Sequence, residues 1–288
     1  MNRPVRGVCW KRNTLLMLLE NIHNEVVLPE WLDELLFSEL NANYCPTGTD
    51  MSVIDWDKND ILNYLGTYFP RSFAESYCIF KFLFTYYPRD WKTSTSISIF
   101  DFGCGTGGEV IGLLLAIDES FPNIREVSIR GLDGNQHALR LFEKVVNKCL
   151  QHVSFSVSSM RVCPIEISDF YDMSIIDSVI SESFDIVISF KAVCEFVTKE
   201  RFEKQNAYKQ IASTFLPKLK ETGLMLLADV TTYNNVSQEW LPRMMDEGLS
   251  YTNCNVVHKN DGYNQKFIIS HSKKRRDISK VAWRIIKN

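Results

Sequence analysis

The sequence lacks the groupings of cysteine and histidine that would hold a metal or a disulfide framework. Its eight cysteines are scattered, the nearest pair along the chain being Cys149 and Cys163, and no C-x-x-C occurs. The five histidines do not cluster with them. Zinc sites, iron–sulfur clusters and disulfide scaffolds need such groupings, so we expect no metal. Free thiols are typical of a reducing compartment.

Long apolar segments and a strong net charge are also missing. The early apolar run at residues 15–19 is interrupted by Glu20, too soon for a signal peptide or a membrane span. The formal net charge of −3 gives no global field that would attract nucleic acid. With 45% hydrophobic and 23% charged residues in 288, the composition is that of a globular protein. We therefore expect a cytoplasmic protein without a membrane partner.

Residues 97–109 combine a short apolar run with alternating glycines, in the order Ile-Ser-Ile-Phe-Asp-Phe-Gly-Cys-Gly-Thr-Gly-Gly-Glu. An apolar run that ends in glycines is typical of a buried parallel strand entering a tight turn. Apolar residues then recur with helical spacing after Glu109. Strand, glycine turn and helix predict the first crossover of a nucleotide-binding α/β domain, where the backbone lies close to a ligand.

The pattern Asp101-x-Gly103-x-Gly105-x-Gly107 resembles the first motif of class I S-adenosylmethionine (SAM)-dependent methyltransferases. The resemblance implies that SAM is the cofactor and that Asp101 holds its methionine end. It also implies that the cofactor contacts the residues of the turn, which are Gly103, Cys104, Gly105 and Gly107.

Two other interpretations of this turn stay open. Gly103, Gly105 and Gly108 also fit G-x-G-x-x-G, the fingerprint of dinucleotide binding. Asp101 disfavours that interpretation, because its carboxylate would face a pyrophosphate at a helix N-terminus that prefers anions. The remaining possibility is a glycine turn that holds no ligand.

The second predicted strand, residues 126–132, ends at Asp133. The resemblance implies that Asp133 hydrogen-bonds both ribose hydroxyls of SAM, and two acceptor oxygens suit a vicinal diol. The alternative is that Asp133 caps the helix predicted over residues 135–149. Both roles are compatible with its position.

A third strand is expected somewhere within residues 153–167. After it, the resemblance implies that Asp169 accepts from the adenine amino group and that Phe170 packs against the ring. Asp172 and Asp177 are competing acidic residues for the first of these roles.

A fourth strand is predicted over residues 184–190, apolar on both faces as a central parallel strand should be. We expect Ser189, near its end, to contact the cofactor, and the acceptor to meet the cofactor just beyond. Lys191 and Glu195 are the catalytic candidates there. The Asn-Pro-Pro-Tyr of many nucleobase methyltransferases is absent. Cys194 as a nucleophile is disfavoured, because nothing in the sequence lowers its pKa.

The rest of the chain continues the alternation of strands and helices and ends in two successive strands. A helix is predicted over residues 199–216, a strand over 223–229 and a helix over 236–247. Two final strands, 265–271 and 280–286, predict an antiparallel hairpin. The predicted fold is thus α/β, a seven-stranded Rossmann-like class I methyltransferase sandwich with a terminal antiparallel hairpin. We assign this methyltransferase domain to residues 91–288.

Residues 1–90 fall outside this alternation and predict a helical N-terminal extension that caps the substrate site. Four helices are expected in it, at residues 13–24, 29–41, 57–68 and 69–86. Arg71, just ahead of the glycine motif, is a third catalytic candidate, since an arginine with aromatic neighbours suits a carboxylate, a phosphate or a base.

The same stretch, with Tyr64, Arg71, Phe73 and Ala74, loosely resembles methyltransferase-like assembly factors of the mitochondrial small ribosomal subunit. The clustered cysteines of that family are missing here.

The resemblance to class I methyltransferases thus implies methyl transfer from SAM to a small molecule or an RNA. Positioning of a nucleophile is the main requirement, and a general base is needed only if the acceptor must lose a proton. The alternatives are a SAM-binding assembly or regulatory factor with little turnover, and a nicotinamide-dependent oxidoreductase.

Overall fold

The computed structural model describes residues 24–46, 56–88, 91–167, 172–197, 206–234 and 238–288. Within these ranges one mixed sheet of nine strands runs through the molecule, and a two-stranded ribbon lies beside it. No helix in the described part is both long and apolar enough to cross a membrane.

The centre of the sheet is parallel. It consists of β2 (Ser96–Phe102), β3 (Glu126–Asp133), β4 (Ser156–Pro164), β5 (Phe184–Phe190) and β6 (Leu219–Val230). The order β6-β5-β2-β3-β4 places β2 between β5 and β3. Every residue of β5 is buried, as its continuous apolar sequence predicts. Because these strands are parallel, their C-terminal ends meet at one edge of the sheet.

The far side of β6 carries the predicted antiparallel hairpin. Its strands are β10 (Gln265–His271) and β11 (Lys274–Lys287), and β11 also pairs antiparallel with β6. The predicted fold class is therefore confirmed. The sheet has nine strands in the described residues, not seven, because two short ones extend it. These are β1 (Glu25–Val27), parallel to β10, and β9 (Asn255–Lys259), antiparallel to β11.

Helices cover the sheet between successive strands. The larger ones in the domain are α3 (Gly108–Ser120), α4 (Gln136–Cys149), α7 (Ala207–Phe215) and α8 (Leu241–Ser250). Short helices α5 (Ser174–Val179) and α6 (Val193–Val197) flank β5. The helix expected to start at residue 236 starts at Leu241 instead. The chain before it pairs as β7 (Tyr233–Asn234) and β8 (Glu239–Trp240).

The N-terminal extension contributes a strand as well as helices, since β1 joins the sheet. Strand β1 is followed by α1 (Glu30–Glu34) and a π-helical turn, Leu35–Glu39. These two elements occupy the range in which one helix, residues 29–41, is predicted. The helix expected at residues 13–24 lies outside the described residues. A hydrophobic cluster that includes Leu32, Leu65 and Phe73 continues into Ile97 and Leu113, so the core crosses the boundary near residue 90.

The two helices predicted at residues 57–68 and 69–86 are one helix, α2 (Lys58–Tyr86), which runs through Pro70. An internal proline costs a helix about 3 kcal/mol, which is why the sequence suggests a break. Packing on both sides of the proline outweighs this cost. Phe69 and Phe73 are buried, and the helix lies so close to α3 that a Cβ on Gly112 would be 2.5 Å from the Phe73 carbonyl oxygen.

Candidate active site

The tight turn predicted after β2 is present, and its glycines have left-handed backbone conformations. Gly103, Gly105 and Gly107 have φ values of 70°, 45° and 86°. The backbone N–H groups of Gly103 and Cys104 both donate to the Leu132 carbonyl oxygen, at 2.8 and 3.0 Å. A Cβ on Gly107 would be 2.6 Å from the Phe142 ring, so only glycine fits there without displacement. The turn is thereby fixed against β3 and α4.

A cleft opens beside this turn at the C-terminal ends of β2, β3 and β5. Its empty space, including the mouth, is about 660 Å³, which is within the size range of small-molecule sites. It brings together elements far apart in sequence, and its lining includes Gly103, Gly105, Asp133, Lys191 and Glu195 of the predicted site. Ile61 and Tyr64 of α2 and Ile165, Glu166 and Ile167 after β4 complete its walls.

Asp133 lies in the cleft wall and is tied to the glycine turn. Its Oδ2 accepts from the Gly105 N–H and its Oδ1 from the Asn135 N–H, each at 2.8 Å. The cap of α4 is Asn135, whose side chain accepts from the amides of His137 and Ala138. Asp133 is therefore not the helix cap that the alternative interpretation supposed. A carboxylate has about four acceptor positions, so Asp133 retains capacity for a further donor.

Asp101 is fully buried at the end of β2, where its carboxyl group shares a hydrogen bond with that of Glu109. Burial raises its pKa, and the neighbouring carboxyl group of Glu109 raises it further. Burial also raises the pKa of Glu109, to about 8. Two neighbouring buried carboxyl groups can share one proton but repel each other once both are ionised, so this pair of acids suits a ligand that brings a cation. The sequence pattern indicates Asp101 but gives no sign of its partner Glu109.

Lys191 follows β5 in a left-handed conformation, with φ 55°. Its Nζ lies 2.9 Å from Oε2 of Glu75 on α2, and both side chains are buried. Ser279 of β11 donates to the same Glu75 carboxylate. This contact holds the Lys191 side chain in a defined position at the cleft.

Tyr64 is a residue of the cleft that the motif search did not assign to the site. Its hydroxyl oxygen would lie 3.3 Å from a Cβ on Gly105, so the ring covers the glycine turn. Trp56 and Tyr68 pack against it, with ring centroids at 5.6 and 5.1 Å. Burial raises its pKa well above the usual value, so the hydroxyl remains a hydrogen-bond donor. Because Tyr64 lies far ahead of the glycine motif in the chain, no spacing in the sequence signals such a contact.

The structure places Arg71 away from the cleft lining. Its guanidinium makes two hydrogen bonds to the carboxylate of Asp277 on β11, from Nε and Nη2, both at 2.8 Å. The Tyr44 hydroxyl donates to the same carboxylate. Burial alone would raise the pKa of Asp277, but the His271 and Arg71 side chains hold it at about 2. Arg71 thus joins α2 to the C-terminal hairpin, a contact that differs from the expected one with the acceptor.

The other predicted residues divide between buried positions and undescribed ones. Ser189 is buried in β5, is not part of the cleft lining, and its Oγ has no hydrogen-bond partner within the described ranges. Burial raises the pKa of Cys194 well above its usual value, and this disfavours a thiolate nucleophile. Asp169 and Phe170 lie outside the described residues. Among the residues that are described, no three metal-ligating side chains come together.

Comparisons with known proteins agree with this fold. Residues 94–280 match the model of a family described as "methyltransferase domain". No curated protein matches the chain. Solved structures that resemble it include a protein of Pyrococcus horikoshii described as a candidate RNA methyltransferase (15% identity, 75% of this chain and 85% of that one, TM-score 0.42).

Two further solved structures have a similar degree of likeness. One is the magnesium protoporphyrin IX methyltransferase of Synechocystis with bound SAM, at 9% identity over 89% of this chain and 94% of the other, with a TM-score of 0.44. The other is the DszA carbon methyltransferase, at 15% identity over 81% of this chain and 60% of the other, with a TM-score of 0.45.

Proposed function

Because this chain belongs to the family of methyltransferase domains, we propose that the cleft beside the glycine turn is the place where it holds SAM. The chain is an enzyme that transfers a methyl group from SAM to an acceptor. The observation that carries the proposed site is the pair of buried carboxyl groups, Asp101 and Glu109, which flank the glycine turn in the chain and whose pKa values burial raises.

The residues present fit SAM in three places. The two acids that flank the turn suit the amino group of its methionine end, and Asp133 has acceptor capacity left for the ribose hydroxyls. Ile165 and Ile167 offer an apolar wall on the side where the adenine is expected. Asp169 and Phe170 remain part of this proposal, as the adenine contacts. When bound, SAM supplies a methyl carbon that its sulfonium makes electrophilic.

The protein's own task is to position the acceptor, exclude water and manage charge. We assign Lys191 a positioning role, because Glu75 holds its ammonium group in place. Glu195 is the side chain of the cleft that we assign as base where an acceptor must lose a proton. Ser189, buried in β5 and outside the cleft lining, has no role in this proposal.

Residues 1–90 act in this proposal as the cap of the acceptor site, and residues 91–288 as the methyltransferase domain. Support comes from α2, because its Tyr64 ring covers the glycine turn and its Glu75 carboxylate forms an ion pair with Lys191. Arg71 holds this cap to the hairpin instead of touching the acceptor. A cytoplasmic location fits the cysteines of the described residues, all seven of which are free thiols.

Two measurements test this function. Calorimetric titration should show saturable binding of SAM and of S-adenosylhomocysteine (SAH), and no heat from NAD at the same concentration. Incubation with methyl-labelled SAM and cell extract, separated into RNA, protein and metabolites, should then label one fraction above a heat-inactivated control. Binding of NAD without SAH would contradict the site. Binding of SAH without labelled product would favour the assembly or regulatory factor.

A further inference from the structure

A second cavity lies against the sheet, nearer than the cleft to the N-terminal ends of the central strands. Its empty space, including the mouth, is about 610 Å³, and it shares no lining residue with the cleft. The proposed SAM site therefore does not account for it. We name it the serine–arginine pocket after five of its lining residues, which belong to β2, β3 and β4: Ser98, Ser128, Ser159, Arg130 and Arg161.

The strand register places these side chains in two rows on one face of the sheet. Ser98, Ser128 and Ser159 are partners across the three strands, and two residues farther along, Arg130 is the partner of Arg161. Adjacent strands are about 4.8 Å apart, so the two guanidinium groups start from neighbouring backbone positions. Like charges opposite each other in a sheet are destabilising, and a central parallel sheet is usually apolar on both faces. Functional sites are expected where such rules are broken.

The pocket is open because little helix covers this part of the sheet. In the described part of the crossover from β4 to β5, the only helix is α5, which has six residues. Its buried Ile176 belongs to the same hydrophobic cluster as Phe102 and Leu132, which form the next row toward the cleft. The pocket therefore occupies sheet surface that the short helix leaves uncovered.

Arg130 has one edge of its guanidinium engaged inside the protein and one edge unengaged. Its side chain is only 10% exposed, and Nη1 lies 2.8 Å from Oε1 of Glu182 and donates to the Val179 carbonyl oxygen at 3.0 Å. A guanidinium has five N–H donors, and among the described residues Nε and Nη2 have no partner. These two atoms form the edge that donates two parallel hydrogen bonds to an oxyanion.

The Arg161 guanidinium and the hydroxyl groups of Ser128 and Ser159 are further donors in the lining. Within the ranges that the structure describes, none of these three side chains makes a hydrogen bond or an ion pair. A ligand can therefore accept from them without breaking a bond inside the protein. Four side chains thus offer donors to one pocket, and two of them are cationic.

The charges of the pocket favour an anion. Lys220 is a third lining cation, and Oδ2 of Asp185 holds its Nζ at 2.7 Å. Glu182 is the one carboxylate of the lining, so three cations face one carboxylate, or two when Asp185 is counted. Outside the lining, Lys218 and Asp177 pair at 2.8 Å, and Glu126 is exposed two residues before Ser128. An excess of one to two positive charges suits a single phosphate group, which carries about −1.5 to −2 at pH 7.

We propose that the serine–arginine pocket binds the phosphate group of a small molecule. Arg130 and Arg161 contact its oxygens in this proposal, and the hydroxyl groups of Ser128 and Ser159 donate to it. Free phosphate has the same chemistry. The proposal goes beyond the proposed function, because the pocket is separate from the cleft and its occupant is not the methyl acceptor.

The test uses the full chain, with glycerol 3-phosphate as the probe, glycerol as its uncharged counterpart and a constant ionic strength. The phosphorus NMR signal of the ester should shift in a saturable way with wild type, and saturation-transfer NMR should show no binding of glycerol. Arg161→Gln should raise the dissociation constant by about tenfold, because it removes a charged hydrogen-bond donor. Glu182→Gln should lower it several-fold, because the Glu182 carboxylate competes with phosphate for Arg130. A gain in affinity cannot come from misfolding.

Arg140→Gln is the matched control for the loss of a guanidinium. Arg140 is exposed on α4, whose buried Leu139 and Phe142 pack in the hydrophobic cluster on the opposite face of the sheet. This variant should bind the ester like wild type. Inorganic phosphate distinguishes the two sources of the group: equal affinity supports the free ion as occupant, and tighter binding of the ester supports a phosphorylated metabolite.

Three outcomes would overturn the proposal: no saturable binding by wild type, equal affinity of wild type and Arg161→Gln, or displacement of the ester by a short single-stranded RNA. Calorimetry with SAH on every variant separates this proposal from the proposed function. Unchanged SAH affinity without an effect of Arg161 overturns the serine–arginine pocket alone. Absence of SAH binding in wild type overturns the proposed function and leaves the result with the ester unaffected.

Discussion

The buried ion pair between Glu75 and Lys191 should be one of the most sensitive points of this fold. Glu75 is fully buried on α2, Lys191 is 7% exposed after β5, and their charged atoms are 2.9 Å apart. Removing one partner of a buried pair leaves the other charged and unsolvated, at a cost of about 3–5 kcal/mol. We expect Glu75→Gln and Lys191→Met each to lose that much free energy of unfolding.

The same loss can be expressed as a melting temperature. Unfolding entropy is about 2.1 cal/mol/K per residue, so a chain of 288 residues loses roughly 5–8 °C for 3–5 kcal/mol. The double variant Glu75→Gln/Lys191→Met should cost less than the sum of the two, because it leaves no isolated charge. Urea denaturation followed by circular dichroism, with SAH absent, measures all three values.

An exposed ion pair of similar length serves as the control. Lys81 and Glu119 are 2.8 Å apart with both side chains at least one-third exposed, so Lys81→Met should cost no more than about 1 kcal/mol. If Glu75→Gln is as mild as this control, or if the two single effects simply add, the charge of Lys191 is not held by Glu75. Lys191 would then be free to act as the base at the cleft.

Three further predictions concern the acids and the cap. Burial raises the pKa of Glu109 from 4.5 to about 8, so its ionisation destabilises the folded state. Between about pH 4.5 and 8, the free energy of unfolding of wild type should therefore fall by a few kcal/mol relative to that of Glu109→Gln. Parallel curves of unfolding free energy against pH for the two proteins would contradict this. Asp133→Asn should weaken SAH binding by about tenfold but leave the affinity for a 2′,3′-dideoxy analogue almost unchanged, and continued discrimination between these ligands in the variant would exclude the ribose contact. Arg71→Lys should not restore the stability that Arg71→Ala loses, because only a guanidinium gives two parallel bonds to Asp277; full rescue in a thermal melt would show that charge alone matters.

The parts of the site that lie close together in sequence could be predicted from it. Alternating glycines after an apolar run fix a left-handed turn, and the next strand ends at Asp133, so the turn and one wall of the cleft follow from local patterns. The all-buried β5 is equally local, because its seven residues form a continuous apolar run, and so is β10, the seven-residue first strand of the terminal hairpin.

The parts that depend on distant contacts could not be predicted. Glu75 meets Lys191 across 116 positions, and Arg71 meets Asp277 across 206, and no spacing in the sequence signals either pair. The ring contacts of Trp240 with Tyr233 and Tyr263 likewise draw on separate segments. At Pro70, packing of the buried faces of α2 outweighed the local tendency of proline to end a helix. β1 has only three residues, too few to show a period.

The most direct test of the proposed SAM site compares two glycines that share a left-handed backbone. Gly105 has φ 45° and a neighbour, Tyr64, across the cleft, whereas Gly262 has φ 61° and open space around it. Leucine at either position carries the same kind of backbone strain, but only Gly105→Leu puts a side chain into the cleft. Calorimetric titration with SAH should show wild-type affinity for Gly262→Leu and no detectable binding for a folded Gly105→Leu. Undiminished affinity in folded Gly105→Leu would contradict the placement of the site.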